Sequence, residues 1–298
     1  MKDVEGKVAF ITGGASGAGF GMASVFSKAG MKVVIADVRQ DRLDKAMTQL
    51  DSSRVHPVRL DVTNREDFAR AADEAERVFG KVHLVCNNAG INLFVPVEDV
   101  TYNDWDWVLG VNLGGVVNGV TTFIPRLRKH GEGGHIVNTA SMAAFLPSSA
   151  AVTYTAAKFG VRGLTEALRY SLYQYNIGVS VFCPGLINSG IYESEKMRPP
   201  ELASSSSEKN EKAMAFVPEL NTTAGMSPEE VGERVLAGIR RNQLYIFSHG
   251  EFGEELQDLF DEVLESLPTD KGPEIRLQFE QRRREGLKKS RVAANQIN

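Results

Sequence analysis

The chain has 298 residues, 42% hydrophobic and 24% charged, which is enough for one large domain with a buried core. Its formal net charge is −4, so charge gives no reason to expect nucleic acid or an anionic membrane as partner. Two cysteines and five scattered histidines offer no disulfide framework, zinc spacing or HExxH pattern, and no metal is expected.

Short β-branched runs alternate with amphipathic stretches. "KVAFITG" (7–13) predicts a strand and 18–29 a helix. "KVVIAD" (32–37) predicts a second strand, followed by a polar helix through "QDRLDKAMTQL". "VHPVRLDV" (55–62) gives a third strand, 65–79 a helix, and "VHLVCNNAG" holds a fourth strand. A long helix fits 104–129, although Gly114, Gly115 and Pro125 disturb it. "GHIVNTAS" (134–141) is a fifth strand, 152–175 a long helix, "IGVSVFCPG" (177–185) a sixth strand and "LYIFS" (244–248) a seventh.

Strands apolar at nearly every position are buried on both faces, and their alternation with helices requires right-handed crossovers. The expected fold is therefore α/β: a Rossmann-type doubly wound parallel sheet in one catalytic domain, 1–250. Within it, 186–226 contains "RPPELASSSSEKNEK" and is expected to be a mobile lid. Residues 251–298 form an expected helical extension, whose run "QRRREGLKK" reads as a solvated face. Cys86 and Cys183 lie in apolar runs and read as small buried hydrophobes. The N-terminus does not read as a signal peptide, and no stretch is expected to reach the length of a membrane span. A cytoplasmic location follows as the expectation.

The strand ends carry the chemistry. "TGGASGAG" follows the first strand and opens a helix, so Gly13, Gly17 and Gly19 allow a tight turn, with Ser16 and Ala18 between them. Backbone N–H groups at such a helix start suit a pyrophosphate. Asp37 ends the second strand about twenty residues on, where a carboxylate bonds adenosine ribose hydroxyls and repels a 2′-phosphate. Arg39 argues the other way, because a basic residue there could help bind phosphate. Asp61, followed by Val62, is either a partner of the adenine amino group or a helix cap. Asn88, Ala89 and Gly90 form either a surface against a flat ligand or a plain turn. Ser141 is an N-cap or a site residue, and Asn112 a satisfied structural amide or a site residue. Tyr154 and Lys158 stand one helical turn apart in "YTAAK", a spacing that alone favours a pair of surface residues.

Taken together, TGxxxGxG, Asp37, NNAG, Asn112, Ser141, YxxxK and "PG" at Pro184 and Gly185 make a specific set. Over roughly residues 5–250 the chain resembles the short-chain dehydrogenase/reductase family. The resemblance implies hydride transfer between a carbonyl carbon and a nicotinamide, with Tyr154 as general acid/base and Lys158 as its activator and a ribose contact. It also implies that Ser141 bonds the substrate oxygen and that Asn112 holds a water in a relay to Lys158. A phenol of pKa about 10 must lose about 3 units to act as a base at neutral pH, about 4 kcal/mol. A neighbouring ammonium can supply much of that.

The family's contact to the carboxamide falls at Ile187, and Ser189 stands where threonine is usual. NAD is expected as cofactor, with NADP less favoured. An oligomer, dimer or tetramer, is implied through 104–129 and 152–175. "INSGIYESEKMRPPEL", "LYIFSHGEF" and "AFITGGASGAGFGMA" further resemble bacterial Cα-dehydrogenases that oxidise the benzylic alcohol of lignin-type aryl ethers.

The substrate pocket is expected at Asn92, Leu93, Phe94, Met142, Phe145 and Leu146, largely apolar and free of arginine and lysine, with Met197, Met214 and Phe216 as the inner face of the lid. The other readings are an NADPH-dependent ketone, steroid or acyl-thioester reductase, and an NAD sensor without turnover. The presence of both Tyr154 and Lys158 weighs against the sensor.

Overall fold

The computed structural model describes residues 1–270 and 272–297. Seven parallel strands form one sheet in the order β3-β2-β1-β4-β5-β6-β7: β1 (Val8–Thr12), β2 (Lys32–Asp37), β3 (Val55–Arg59), β4 (Leu84–Asn87), β5 (Gly134–Thr139), β6 (Ile177–Cys183) and β7 (Tyr245–Phe247). All seven expected strands are present. β1 and β6 are buried at every position, as runs without polar alternation require.

Alternate side chains leave β1 for opposite faces. Val8 and Phe10 enter a core with Phe68 and Phe123, from α3 (Arg65–Phe79) and α5 (Gly115–His130). Ala9 and Ile11 enter the other core, with Met22 and Phe26 of α1 (Gly17–Lys28) and Val231 and Val235 of α9 (Pro228–Arg240). Helices α1 and α9 cross closely at Gly21, where a Cβ would stand 1.7 Å from the Pro228 carbonyl oxygen. The chain order reverses between β1 and β4. That leaves a crevice at their C-terminal ends, the position where open α/β sheets bind ligands.

Three expectations need correction. The helix expected at 104–129 is α4 (Tyr102–Leu109), a π turn (Gly110–Gly114) and α5, with Pro125 inside α5. This apolar stretch of 29 residues, Tyr102–His130, does reach the length and composition of a membrane span, contrary to expectation. Here it packs into the domain, with Val116, Val120 and Phe123 in the core under α3.

The lid at 186–226 is not an irregular loop. It holds 3-10 turns at Ile191–Met197 and Pro200–Leu202, then α7 (Ser207–Met214) and α8 (Val217–Ala224). Its serines serve a buried polar network. Asp104 of α4 accepts from Ser206 Oγ at 2.8 Å and Ser204 Oγ at 3.1 Å, and pairs with Arg198 at 2.9 Å. The Arg198 guanidinium lies 4.2 Å from the Trp107 ring centre. Polar composition here reflects bonds made, not an absence of structure.

The sixth helix, α6 (Val152–Leu172), carries "YTAAK". The extension beyond β7 is α10 (Gly253–Glu265) and α11 (Glu274–Gln296), and its run 281–289 is exposed as expected. Arg169 of α6 anchors the end of α11 by donating to Asn295 Oδ1 at 2.8 Å. The helices expected to carry an oligomer contact expose Val117 and Phe159, and the extension exposes Leu264, Ile275 and Phe279. Cys86 and Cys183 are free and buried.

Candidate active site

One cavity of about 800 Å³ runs over the C-terminal ends of the strands. Gly13, Ser16, Gly17, Ala18, Asp37, Asp61, Val62, Asn88, Ala89, Gly90, Tyr154, Lys158, Pro184, Gly185 and Ile187 all line it. Gly17 is at φ +50°, and a Cβ there would meet the Ser189 side chain at 2.7 Å. Gly19 lies just behind, where a Cβ would stand 2.1 Å from the Gly13 carbonyl oxygen. The turn therefore admits only glycine at these points and brings bare backbone to the start of α1. Such a bare cradle, with a carboxylate beyond it, fits a dinucleotide.

Asp37 is 8% exposed, and its Oδ1 accepts from the Arg39 N–H at 3.0 Å. Burial raises its carboxyl above the ordinary range, and that N–H and the Arg42 charge pull it back. Arg39 itself lies outside the cavity. It caps α2 (Gln40–Met47) and grips Asp41 through two bonds of 2.7 and 2.5 Å. The arginine that lines the cavity is Arg42, which the sequence reading missed. Asp61 turns both ways: it lines the cavity and accepts from the Thr63 N–H at 2.9 Å.

Thr12, also missed, builds the turn after β4. Its Oγ1 accepts from the Asn88 and Ala89 N–H groups at 2.9 and 3.1 Å. Asn112 is fully buried and does not line the cavity. Its Oδ1 accepts from Ile91 N–H at 2.8 Å and its Nδ2 donates to the Ile91 carbonyl at 2.9 Å. Both ends of the amide thus fix the 88–91 turn. The π turn allows this, because its wider ladder turns Asn112 toward Gly90, where a Cβ would meet Asn112 Oδ1 at 3.1 Å and Lys158 Nζ at 3.5 Å.

Ser141, Tyr154 and Lys158 meet at the cavity wall. Ser141 caps a 3-10 turn, accepting from Ala143 N–H at 3.1 Å, and its hydroxyl faces the Tyr154 phenol. Burial pushes the phenol's pKa up and the Ser141 hydroxyl lowers it in part. Lys158 Nζ is 5.3 Å from the Tyr154 ring centre and donates to the Thr139 carbonyl at 3.0 Å. Burial brings its pKa down to about 8. Desolvation is the largest influence on both groups.

The far half of the cavity is apolar. Phe94, Met142 and the lid residues Met197, Met214 and Phe216 line it as expected, joined by Trp107, Leu220 and Phe252. Leu93 and Phe145 do not line it. Leu93 is core, packed with Trp107 and Val108, and Phe145 is core against Tyr245, Phe247 and the Arg162 guanidinium. Leu146 likewise packs on the core. Asn92 lines the cavity at 9% exposure, and among the described residues its Oδ1 has no hydrogen-bond partner.

Residues 7–199 match the family described as short chain dehydrogenase. The chain belongs to the short-chain dehydrogenase family. It is accordingly a nicotinamide-dependent oxidoreductase acting between alcohols and carbonyl compounds. A Cα-dehydrogenase of Sphingobium sp. strain SYK-6 is 44% identical over 278 residues, covering 92% of this chain and 91% of that one. A short-chain dehydrogenase of Novosphingobium aromaticivorans superimposes with a TM-score of 0.84 at 44% identity, covering 99% of this chain and 100% of that one. Another, from Burkholderia phymatum and solved in complex with NAD, gives 0.84 at 34% identity, covering 92% and 100%.

Proposed function

We propose that this enzyme oxidises a benzylic secondary alcohol to an aryl ketone with NAD⁺. The observation that carries the reading is one continuous cavity, with Ser141, Tyr154 and Lys158 on its wall between the glycine turn with Asp37 and an apolar chamber. The Ser141 hydroxyl holds the carbinol oxygen, and the Tyr154 phenolate takes its proton. Lys158 supports the phenolate by charge, and Asn112 keeps the turn at Gly90 in register beneath them. The glycine turn and Asp37 would hold a nicotinamide dinucleotide, which would supply the acceptor for the hydride of the carbinol carbon.

The chamber walls favour an aromatic group beside that carbon. Phe94, Trp107, Phe216 and Phe252 provide aromatic surface, and Met142, Met197 and Met214 adapt around a ring. Asp106 and Glu201 also line the cavity, and their charge disfavours a polyacidic substrate. Asn92, whose Oδ1 has no partner among the described residues, is a polar point in this wall and can accept a hydrogen bond from a substrate hydroxyl. The likeness to a Cα-dehydrogenase supports the same substrate class.

The test compares a 1-aryl-1-alkanol, a small aliphatic alcohol and a sugar alcohol with NAD⁺. The aryl substrate is expected to have a kcat/KM at least about tenfold above both, the value of roughly 1.4 kcal/mol of extra apolar burial. A higher kcat/KM for the sugar alcohol would refute the aromatic pocket and leave the family assignment standing.

The NAD preference rests on Asp37. Losing its bonds to the ribose costs about 1–3 kcal/mol, so Asp37→Ala should lower kcat/KM with NAD⁺ about tenfold or more. The same change relaxes discrimination against NADP⁺, because the repelling carboxylate is gone. A wild-type enzyme more efficient with NADP⁺ than NAD⁺ would show this assignment to be wrong.

A further inference from the structure

The adenosine end of the cavity carries a cation that is already taken. Arg42 of α2 lines the cavity beside Asp37, Val38 and Ser16, and its Nη1 lies 3.5 Å from Ser16 Oγ. Its Nη2 pairs with Glu193, which belongs to the Ile191–Met197 turn of the lid. The two side chains are 15% and 27% exposed, so the pair is sheltered from solvent more than a surface bridge. Gly190 fits against the same guanidinium, since a Cβ there would stand 3.0 Å from Arg42 Nη2. Glu193 also accepts from Lys196 Nζ at 2.9 Å.

The other charges near this place are accounted for. Arg39 is held by Asp41, and Asp37 accepts the Arg39 N–H. Glu193 is thus the one lid carboxylate set between two cations, Arg42 and Lys196, at the mouth of the ribose site. We propose that Glu193 is a cofactor-specificity residue carried by the lid: it occupies Arg42 and so denies that guanidinium to a 2′-phosphate. The preference for NAD would then depend on two carboxylates, Asp37 in the sheet and Glu193 in the lid. It would also tie the lid's position to the cofactor end of the cavity, because the lid that covers the substrate chamber contributes Glu193. The inference rests on the NAD reading above.

The test is equilibrium binding of NAD⁺ and NADP⁺ by calorimetry to the whole chain, as wild type, Glu193→Gln, and Glu193→Gln with Arg42→Met. Glu193→Gln removes one negative charge and frees Arg42 while keeping the side-chain shape. NADP⁺ affinity should rise about fivefold or more, with NAD⁺ affinity changing less, and the added Arg42→Met should reverse the gain. The ratio of kcat/KM for the two cofactors should move the same way. An unchanged affinity ratio in Glu193→Gln, or a gain that survives Arg42→Met, overturns the inference. The NAD reading is judged separately by the wild-type ratio, so a wild type that prefers NADP⁺ refutes that reading while the shift on Glu193→Gln still decides this one.

Discussion

Tyr154→Phe is expected to lower kcat by at least about 10³-fold while leaving NAD⁺ affinity within about threefold. The substitution keeps the ring and removes the phenol oxygen beside Ser141 at the cavity wall. General acid–base catalysis contributes about 10²–10⁴-fold, and here the same oxygen would also hold the carbinol, so the upper part of that range applies. The pH dependence has a defined sign. Burial raises the phenol's pKa, so the base form is scarce at neutral pH and grows as pH rises. Alcohol oxidation should therefore accelerate from neutral toward alkaline pH. Ketone reduction needs the phenol as proton donor and should slow over the same range. Any residual activity of Tyr154→Phe should lack this dependence. Near-normal turnover in the variant would sink the mechanism.

The parts of the molecule that were legible in the sequence share a physical reason. Strands such as 177–183 are buried on both faces, so every position is apolar and the run stands out. The glycines of the first turn were legible because backbone contact leaves no room for a Cβ. What failed was direction. Leu93 and Phe145 follow strands as pocket residues should, but turn dihedrals aim them into the core, and no periodicity reports those angles. Arg39 and Arg42 are three apart and chemically alike. Arg39 stands at the helix cap and is captured by Asp41, whereas Arg42 turns to Ser16 and Glu193. Pairing across 151 residues is invisible to local pattern. The lid's serines suggested a chain without structure because their acceptor, Asp104, lies about a hundred residues earlier.

Lys158→Met is expected to abolish turnover and raise the melting temperature at neutral pH. Lys158 is 3% exposed, and its one hydrogen bond goes to a neutral carbonyl, that of Thr139. Burial lowers its pKa from 10.5 to about 8, which corresponds to about 3 kcal/mol of destabilisation while the charge is held in the fold. The folded pKa lies below the unfolded one. Below pH 8 both states are protonated and the cost is fully present. Between about pH 8 and 10.5 the unfolded chain binds more protons, so stability rises with pH, and above that range the cost is gone. Methionine fills a similar volume without the charge. It forfeits the Thr139 bond, worth about 1 kcal/mol, which leaves a net gain of about 1–2 kcal/mol and a rise of about 2–6 °C at pH 7. The gain should shrink as the measurement is moved from pH 7 toward pH 10. Activity should fall at least about 10³-fold, and NAD⁺ binding should weaken more than in Tyr154→Phe, because in the proposed mechanism the ammonium would serve both the phenolate and the cofactor ribose. The active site would then be a place where the fold gives up stability for a charge that the reaction needs. A lower melting temperature for Lys158→Met at pH 7, or a gain that grows with pH, would show that the charge is compensated within the fold and would refute this account.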